Sequence, residues 1–194
     1  MDYLEEHIDN VRKAFLEVSE SYAGLYGLDY HSWLELKDAV CSHDISKFSQ
    51  YEFTQYRKHF FPIEGEEPED FQKALEHHKA NNTHHHETIK NEIDCLHMII
   101  NWTAMGYKFG NTSQEYYEKN KKRINLSQDF DNTLGIVFMK IRQYNKEGIM
   151  EIHEAIEHAE KTIKNNPDSQ CKKDYVQFIK WLKELLEIKK ATFK

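Results

Sequence analysis

The residues best equipped for chemistry in this chain are its histidines. Twelve are present, and His77, His78, His84, His85 and His86 all fall within residues 76–87. Imidazole is the commonest side-chain ligand of transition metals, so an excess of this size points to a site. Position and spacing exclude a C-terminal purification tag. The centre of the reading is His43-Asp44. An adjacent imidazole and carboxylate can both reach one ion from a helix whose end is bent. The imidazole is a borderline ligand, while the carboxylate supplies charge and can bridge to a second cation. The pair continues as His43-Asp44-Ile45-Ser46-Lys47, which places Lys47 one helical turn on, where an ammonium can meet a substrate phosphate.

Two further groups belong with it. His77-His78 is followed by Asn82, His84 and His85. This spacing sets histidines at the end of one helix and the start of the next, joined by a loop that lets both reach one cavity. Asp94, His97 and Asn101 recur at i, i+3 and i+7 on an otherwise apolar helix, and polar groups facing inward there demand partners. Taken singly, most of these residues have plainer readings. His7 alone is a hydrogen-bonded core histidine, Lys47 a surface lysine, and Asp94 a surface carboxylate beside Lys90. His77 and His86 read as solvated, and His31, His59, His153 and His158 show no partner pattern. An inward His7, a His-Asp pair and two later histidine positions in order point together to metal binding. Imidazole-rich ligation favours a first-row transition ion (Mn, Fe, Zn or Ni) over calcium.

The elements that must position these groups are helical almost throughout. Glycines number seven and prolines three, and strand-like alternation is absent. The spacing predicts a first helix over 3–22 with an inner stripe of His7, Val11, Ala14, Phe15 and Val18, then a loop at 24–27. A second helix starts near Asp29 and carries Leu36, Val40, His43 and Asp44. Ser49 with Glu52 predicts a capping box, and Phe48 with Phe53 a hydrophobic staple, at the start of a third helix that ends before Pro62. Glu64-Gly65-Glu66-Glu67-Pro68 reads as an acidic loop. A fourth helix over 69–80 turns Phe71, Ala74, Leu75 and His78 inward, and a long helix is predicted over 86–108. Thr112 and Glu115 predict another capping box before a helix over 113–123. Helices over 128–144, 149–165 and 168–190 follow, punctuated by Gly148 and Asn166-Pro167. The last two read as a hairpin, with Ile152, Ile156 and Ile163 facing Tyr175, Ile179, Leu182 and Leu186.

Composition narrows the class. The 194 residues are 39% hydrophobic and 30% charged, which fits a soluble globular chain of one domain or a domain with an appendage. No apolar run approaches the ~18 residues that span a bilayer. The acidic start, Met1-Asp2-Tyr3-Leu4-Glu5-Glu6, is unlike a signal peptide. Cys41, Cys95 and Cys171, odd in number and widely spaced, read as reduced thiols of a cytosolic protein. A net charge of -7 argues against a nucleic-acid coat but not against a small anionic ligand, because a bound metal dominates its own site.

The order of these groups resembles the HD-domain superfamily of metal-dependent phosphohydrolases. Those proteins carry an early histidine, a His-Asp pair and a final aspartate on a later helix, and two-metal members add histidines between. The string to Lys47 is similar to the His-Asp-x-Gly-Lys of the cyclic-dinucleotide-cleaving branch, with Ser46 in the glycine position, although that branch's Gly-Tyr-Pro motif is absent. A closer resemblance is to a family of unknown function from phages and Firmicutes. It is carried by His7, His43-Asp44, Ser46-Lys47, Glu52-Phe53, His78, Asn82, His84, His85, Trp102 and Ala104-Met105. Tyr107-Lys108-Phe109-Gly110 and Glu115-Tyr116-Tyr117 add to it, for coverage of roughly residues 5–125. In that family the residue before the tryptophan is usually aspartate; here it is Asn101. An amide oxygen is a weak ligand for a transition metal. Asp94 lies two turns away, about 10 Å along the helix at ~1.5 Å per residue, too far for a simple exchange.

The helical periodicity implies an all-α chain with a C-terminal helical hairpin extension over 126–194 that covers the site or forms a homodimer contact, and the resemblance implies an HD-like helical bundle over 1–125. It implies one or two divalent transition-metal ions held by His7, His43, Asp44, His78, His84 and His85, with Asn101 or His97 completing the set. The expected reaction is hydrolysis of a nucleotide-like phosphoester by a metal-activated water, with Asp44 bridging or orienting and Lys47 stabilising developing charge. Two alternatives stand beside it: a di-iron oxygenase of the HD type, and a non-catalytic phage-type protein that binds a nucleotide signal or a host protein.

Overall fold

The computed structural model describes residues 2–23, 28–66, 70–165 and 172–192, and every regular element among them is helical. The elements are α1 (Asp2–Ala23), α2 (Tyr30–Cys41), a 3-10 turn (Ile45–Phe48), α3 (Gln50–Phe60), α4 (Phe71–Asn81), α5 (Glu92–Phe109), α6 (Ser113–Ile124), α7 (Gln128–Asn165) and α8 (Lys172–Thr192). The all-α expectation therefore holds. The chain divides into two compact units, Met1–Phe138 and Met139–Lys194. Among the described residues no helix is long and apolar enough to cross a membrane. The loop at 24–27, Glu67-Pro68, Asn166-Pro167, Cys171 and the side chains of Val18 and Tyr175 lie outside what is described.

In the first unit α5 is the axis. It packs against α1, α2 and α6, while α3 and α4 pack on each other and on the 3-10 turn. A helix apolar around its whole circumference has to be surrounded. Leu96, Met98, Ile99 and Ile100 of α5 have no exposed surface, each stabilising the unit by about 1.5–3 kcal/mol relative to leaving it in water. The inner stripe of α1 is buried as the spacing predicts, at His7, Val11, Ala14 and Phe15. Gly106 is required by its neighbour, because a Cβ there would meet the Asn111 carbonyl oxygen at 2.1 Å.

Three local expectations are corrected. The helix expected from residue 86 starts at Glu92. Asn91 accepts from the Asp94 amide (2.8 Å), and the Asp94 carboxylate accepts from the Lys90 amide (2.9 Å), so the chain from 83 to 91 turns instead of winding. At α3, Ser49 caps the Glu52 amide, but the Glu52 carboxylate does not return the bond and is fully buried elsewhere. By contrast, Thr112 and Glu115 form the complete reciprocal box at α6. The third correction is Gly148, which does not interrupt α7: the helix runs unbroken for 38 residues. A glycine inside a helix costs only about 1 kcal/mol, too little to end one that packs well. In the second unit that packing is the expected hairpin stripe. Ile152, Ile156 and Ala159 meet Ile179 and Leu186, with Ile149, Ile163 and Leu182 half-buried around them.

Candidate metal centre

The site begins where α2 ends. Its last turn is closed by Ser42, whose hydroxyl and amide both bond the Asp38 carbonyl. Asp44 then takes a left-handed backbone, φ 58 and ψ 14, before the 3-10 turn starts. This conformation costs most L-residues about 1–2 kcal/mol, and aspartate and asparagine tolerate it best. It bends the chain so that two consecutive side chains are both buried, His43 at 2% and Asp44 at 1% exposure.

The two oxygens of Asp44 face two groups of histidines. Oδ2 lies 3.5 Å from His7 Nε2 and 3.6 Å from His43 Nε2, and those nitrogens are 3.1 Å apart. Oδ1 lies 3.2 Å from His78 Nε2 and 3.4 Å from His84 Nε2. The ring of His85 sits 4.3 Å from that of His84 and 4.9 Å from that of His78. α1 supplies His7, the end of α2 His43 and Asp44, α4 His78, and the turns before α5 supply His84 and His85.

A second layer holds these rings. His43 turns its other nitrogen, Nδ1, to His97 Nε2 at 2.9 Å. Glu52 of α3 is fully buried. Its Oε2 accepts from Ser46 Oγ (2.9 Å) and His78 Nδ1 (3.1 Å), and its Oε1 from His77 Nδ1 (2.6 Å). Asn82 donates to Ser46 Oγ and to the His78 carbonyl. A proton on His78 Nδ1 leaves the lone pair of Nε2 pointing at Asp44.

Whether the cluster fits an ion can be tested on these atoms. Nitrogen and oxygen ligands at about 2.1 Å from an ion stand about 3.0 Å apart in an octahedron and about 3.4 Å apart in a tetrahedron. The spacings of 3.1–3.6 Å match. Asp44 Oδ1, His78 Nε2 and His85 Nε2 are buried without a hydrogen-bond partner, each a loss of about 1–3 kcal/mol if left so. Asp44 Oδ1 and His78 Nε2 lie 3.2 Å apart without forming a hydrogen bond. This buried His/Asp cluster can hold a metal ion.

Its electrostatics agree. Burial lowers the imidazoles, His7 to about 4, His97 to about 3 and His85 to about 2, and takes His43 and His84 down as well. All five are therefore neutral near pH 7, the form in which imidazole binds metals. Burial pushes Asp44 upward, but His43, Lys47 and the nearby His78 and His84 outweigh it and hold the carboxyl well below its ordinary range.

The remaining candidates divide. Lys47 reaches the cluster, its Nζ 2.6 Å from Asp44 Oδ2 and 5.2 Å from the centre of the Tyr56 ring. Asn101 lines, with His7, the cavity above the cluster, a space of about 560 Å³ also lined by Trp102 and Tyr116. Asp94 is not there; it sits in the first turn of α5, its carboxylate accepting from the Lys90 amide. His77 is half-exposed yet bonded to Glu52, and His86 sits 3.1 Å from Glu87, so neither is merely solvated. His59 stacks on Phe71, while His31, His153 and His158 are exposed. Glu52 was invisible as a site residue in the sequence, since its spacing from Ser49 already explained it as a cap.

Against known proteins, a model described as a family of unknown function (DUF5662) matches residues 1–140. The chain belongs to that family. The DUF5662 match ends close to Phe138, the last residue of the first unit, so every residue of the cluster lies inside it. No curated protein and no solved structure matches the chain.

Proposed function

We propose that this DUF5662 chain is a metal-dependent phosphohydrolase acting on a nucleotide-like phosphoester. The observation that carries the reading is the meeting of Asp44 Oδ1 and His78 Nε2. They are two acceptors 3.2 Å apart, buried, with no hydrogen-bond partner. A cation resolves that contact. His7, His43, Asp44 Oδ2 and the Asn101 amide would hold one ion, and Asp44 Oδ1, His78, His84 and His85 a second. Such ions supply Lewis-acid activation of water and neutralise charge on a phosphoryl group.

The protein's own groups do the rest. Glu52 and His97 fix the rings of His78 and His43. Lys47, on the cavity wall, is the cation aimed at a phosphate oxygen, and it favours phosphate over an uncharged substrate. The order His7, His43-Asp44, His78, His84 and His85, resembling that of two-metal HD proteins, supports the assignment. Asn101 favours a second reading, binding of a phosphorylated ligand without turnover, because its amide is a weaker ligand than a carboxylate.

The test is elemental analysis of untagged protein, joined to phosphate release from a panel of nucleotides with Mn, Fe, Zn or Ni added. At least one equivalent of metal and phosphate release, both lost in His43→Ala, are the expected results. Bound metal with no release from any nucleotide moves the assignment to the binding reading, or to oxygen chemistry if dioxygen is consumed. Protein that takes up no metal at all overturns every version.

A further inference from the structure

The cavity above the cluster has a charge balance that the metal ligands do not explain. Its lining carries four cationic side chains, Lys47, Lys79, Lys119 and Arg123, against two carboxylates, Asp44 and Glu87. Each carboxylate already has its partner: Lys47 stands 2.6 Å from Asp44, and Lys79 stands 2.5 Å from Glu87. Lys119 and Arg123 are left over, and neither has a carboxylate partner among the described residues, although the chain carries a net charge of -7. On the same helix Lys121 is neutralised by Asp131.

The geometry of α6 shows how the surplus is presented. Tyr116, Lys119, Asn120 and Arg123 recur at three- and four-residue intervals and share the face that lines the cavity, while Ser113, Tyr117 and Ile124 are buried. Arg123 is held there, since its Nη2 donates to the Tyr116 hydroxyl at 3.1 Å. Asn120 donates to the Tyr116 carbonyl, and the Tyr116 ring lies 5.3 Å from that of Trp102, which is buried. A guanidinium fixed in this way loses less freedom when it binds an anion. Lys47 reaches the same cavity from the 3-10 turn, which packs on α3 and α4, whereas α6 packs on α5. Between these elements α5 contributes Trp102, Met105 and Phe109 to the lining.

We propose that Lys119 and Arg123 form a second anion subsite. The ligand of this centre would then carry two phosphate groups joined through an apolar or aromatic body, one at the His/Asp cluster and Lys47, the other on the α6 wall. The inference rests on the metal-centre reading for the first phosphate, and on the α6 geometry alone for the second.

The test is calorimetric titration of the full chain with two probes, AMP and adenosine 3′,5′-bisphosphate, once with chelator and once with Mn²⁺. Wild type is expected to bind the bisphosphate at least tenfold more tightly than AMP in both conditions. The double variant Lys119→Ala/Arg123→Ala is expected to reduce that ratio below twofold. Lys122→Ala, exposed on the same helix and absent from the lining, keeps the wild-type ratio and separates a site from general charge. A wild-type ratio near one, a ratio unchanged in the double variant, or no binding of either probe overturns the subsite. A clear preference without phosphate release in the nucleotide panel overturns hydrolysis and leaves the subsite standing. Phosphate release without the preference does the reverse.

Discussion

Replacing Glu52 by glutamine removes one charge from the interior of the first unit and keeps the shape. Three donors converge on this carboxylate: Ser46 Oγ at 2.9 Å, His78 Nδ1 at 3.1 Å and His77 Nδ1 at 2.6 Å. Glutamine has one acceptor oxygen and one NH2, so one side of it must face a donor with a donor. The NH2 group should turn to His77, whose side chain is 49% exposed and can take water instead. Ser46 and His78 then keep an oxygen that is no longer charged. A hydrogen bond to a charged group is worth about 1.5–3 kcal/mol and a neutral one about 1, so His78 is held about 1 kcal/mol less firmly. Loss of an outer partner to a metal-binding histidine costs roughly 10–100-fold in affinity. Glu52→Gln is therefore expected near the tenfold end of that range, and Glu52→Ala, which removes the acceptor from all three donors, near the hundredfold end. The assay is chelator-competition titration with Zn²⁺ or Mn²⁺, beside thermal melts of the metal-free protein. Wild-type affinity in both variants would refute the argument, and a lowered melting temperature with unchanged affinity would make Glu52 a packing residue only.

Four further outcomes are expected. Asp44→Asn, which keeps a residue tolerant of the left-handed backbone, should leave the circular dichroism spectrum intact and abolish metal uptake in elemental analysis; retained metal would disprove the bridging role. Lys47→Ala should raise affinity for the ion several-fold in the same competition titration, because its ammonium occupies Asp44 Oδ2, while lowering phosphate release about a hundredfold, or ~3 kcal/mol. The metal-free protein should lose stability in acid. His7 (about 4), His97 (about 3) and His85 (about 2) titrate below the ordinary value near 6.5, and His43 and His84 are lowered with them, so the unfolded chain takes up protons first; stability is complete above about pH 6.5 and falls steadily as the pH drops below it. Urea melts at pH 8, 6.5 and 5.5 that superimpose would contradict this. Gly148→Ala should stabilise the second unit by about 0.5–1 kcal/mol in a thermal melt, since the added methyl meets only the flexible end of Lys189 at 2.9 Å; a loss would show that this tip cannot yield.

What could be read in advance was local and periodic. The stripe of α1 aims His7 inward, Thr112-x-x-Glu115 starts α6, and the spacing of Ile152, Ile156, Ile179 and Leu186 builds the hairpin. His43-Asp44 stood out because two ligand types were adjacent. What escaped depended on a competitor elsewhere in the fold. Glu52 had a good local use at the Ser49 cap, and only the packing of α3 on α4 brings His77 and His78 near enough to take its carboxylate instead. Asp94 was placed with His97 and Asn101 by helical spacing, but Asn91 begins the helix three residues earlier and makes Asp94 part of its first turn. Asn91-x-x-Asp94 was the readable signal for that start. The pairing of Lys47 with Asp44 needed the 3-10 turn, whose geometry no periodicity announces.

The left-handed backbone at Asp44 bears on how this position can drift over generations. The position constrains handedness and charge at once. Glutamate keeps the charge, but it is a poor occupant of φ 58 and carries its oxygens one carbon further out. Asparagine keeps the backbone and gives up the charge, and glycine keeps only the backbone. A lineage giving up the charge should thus pass first through asparagine at position 44 with its fold unharmed. A relative with glutamate there should show compensating change in the turn that follows.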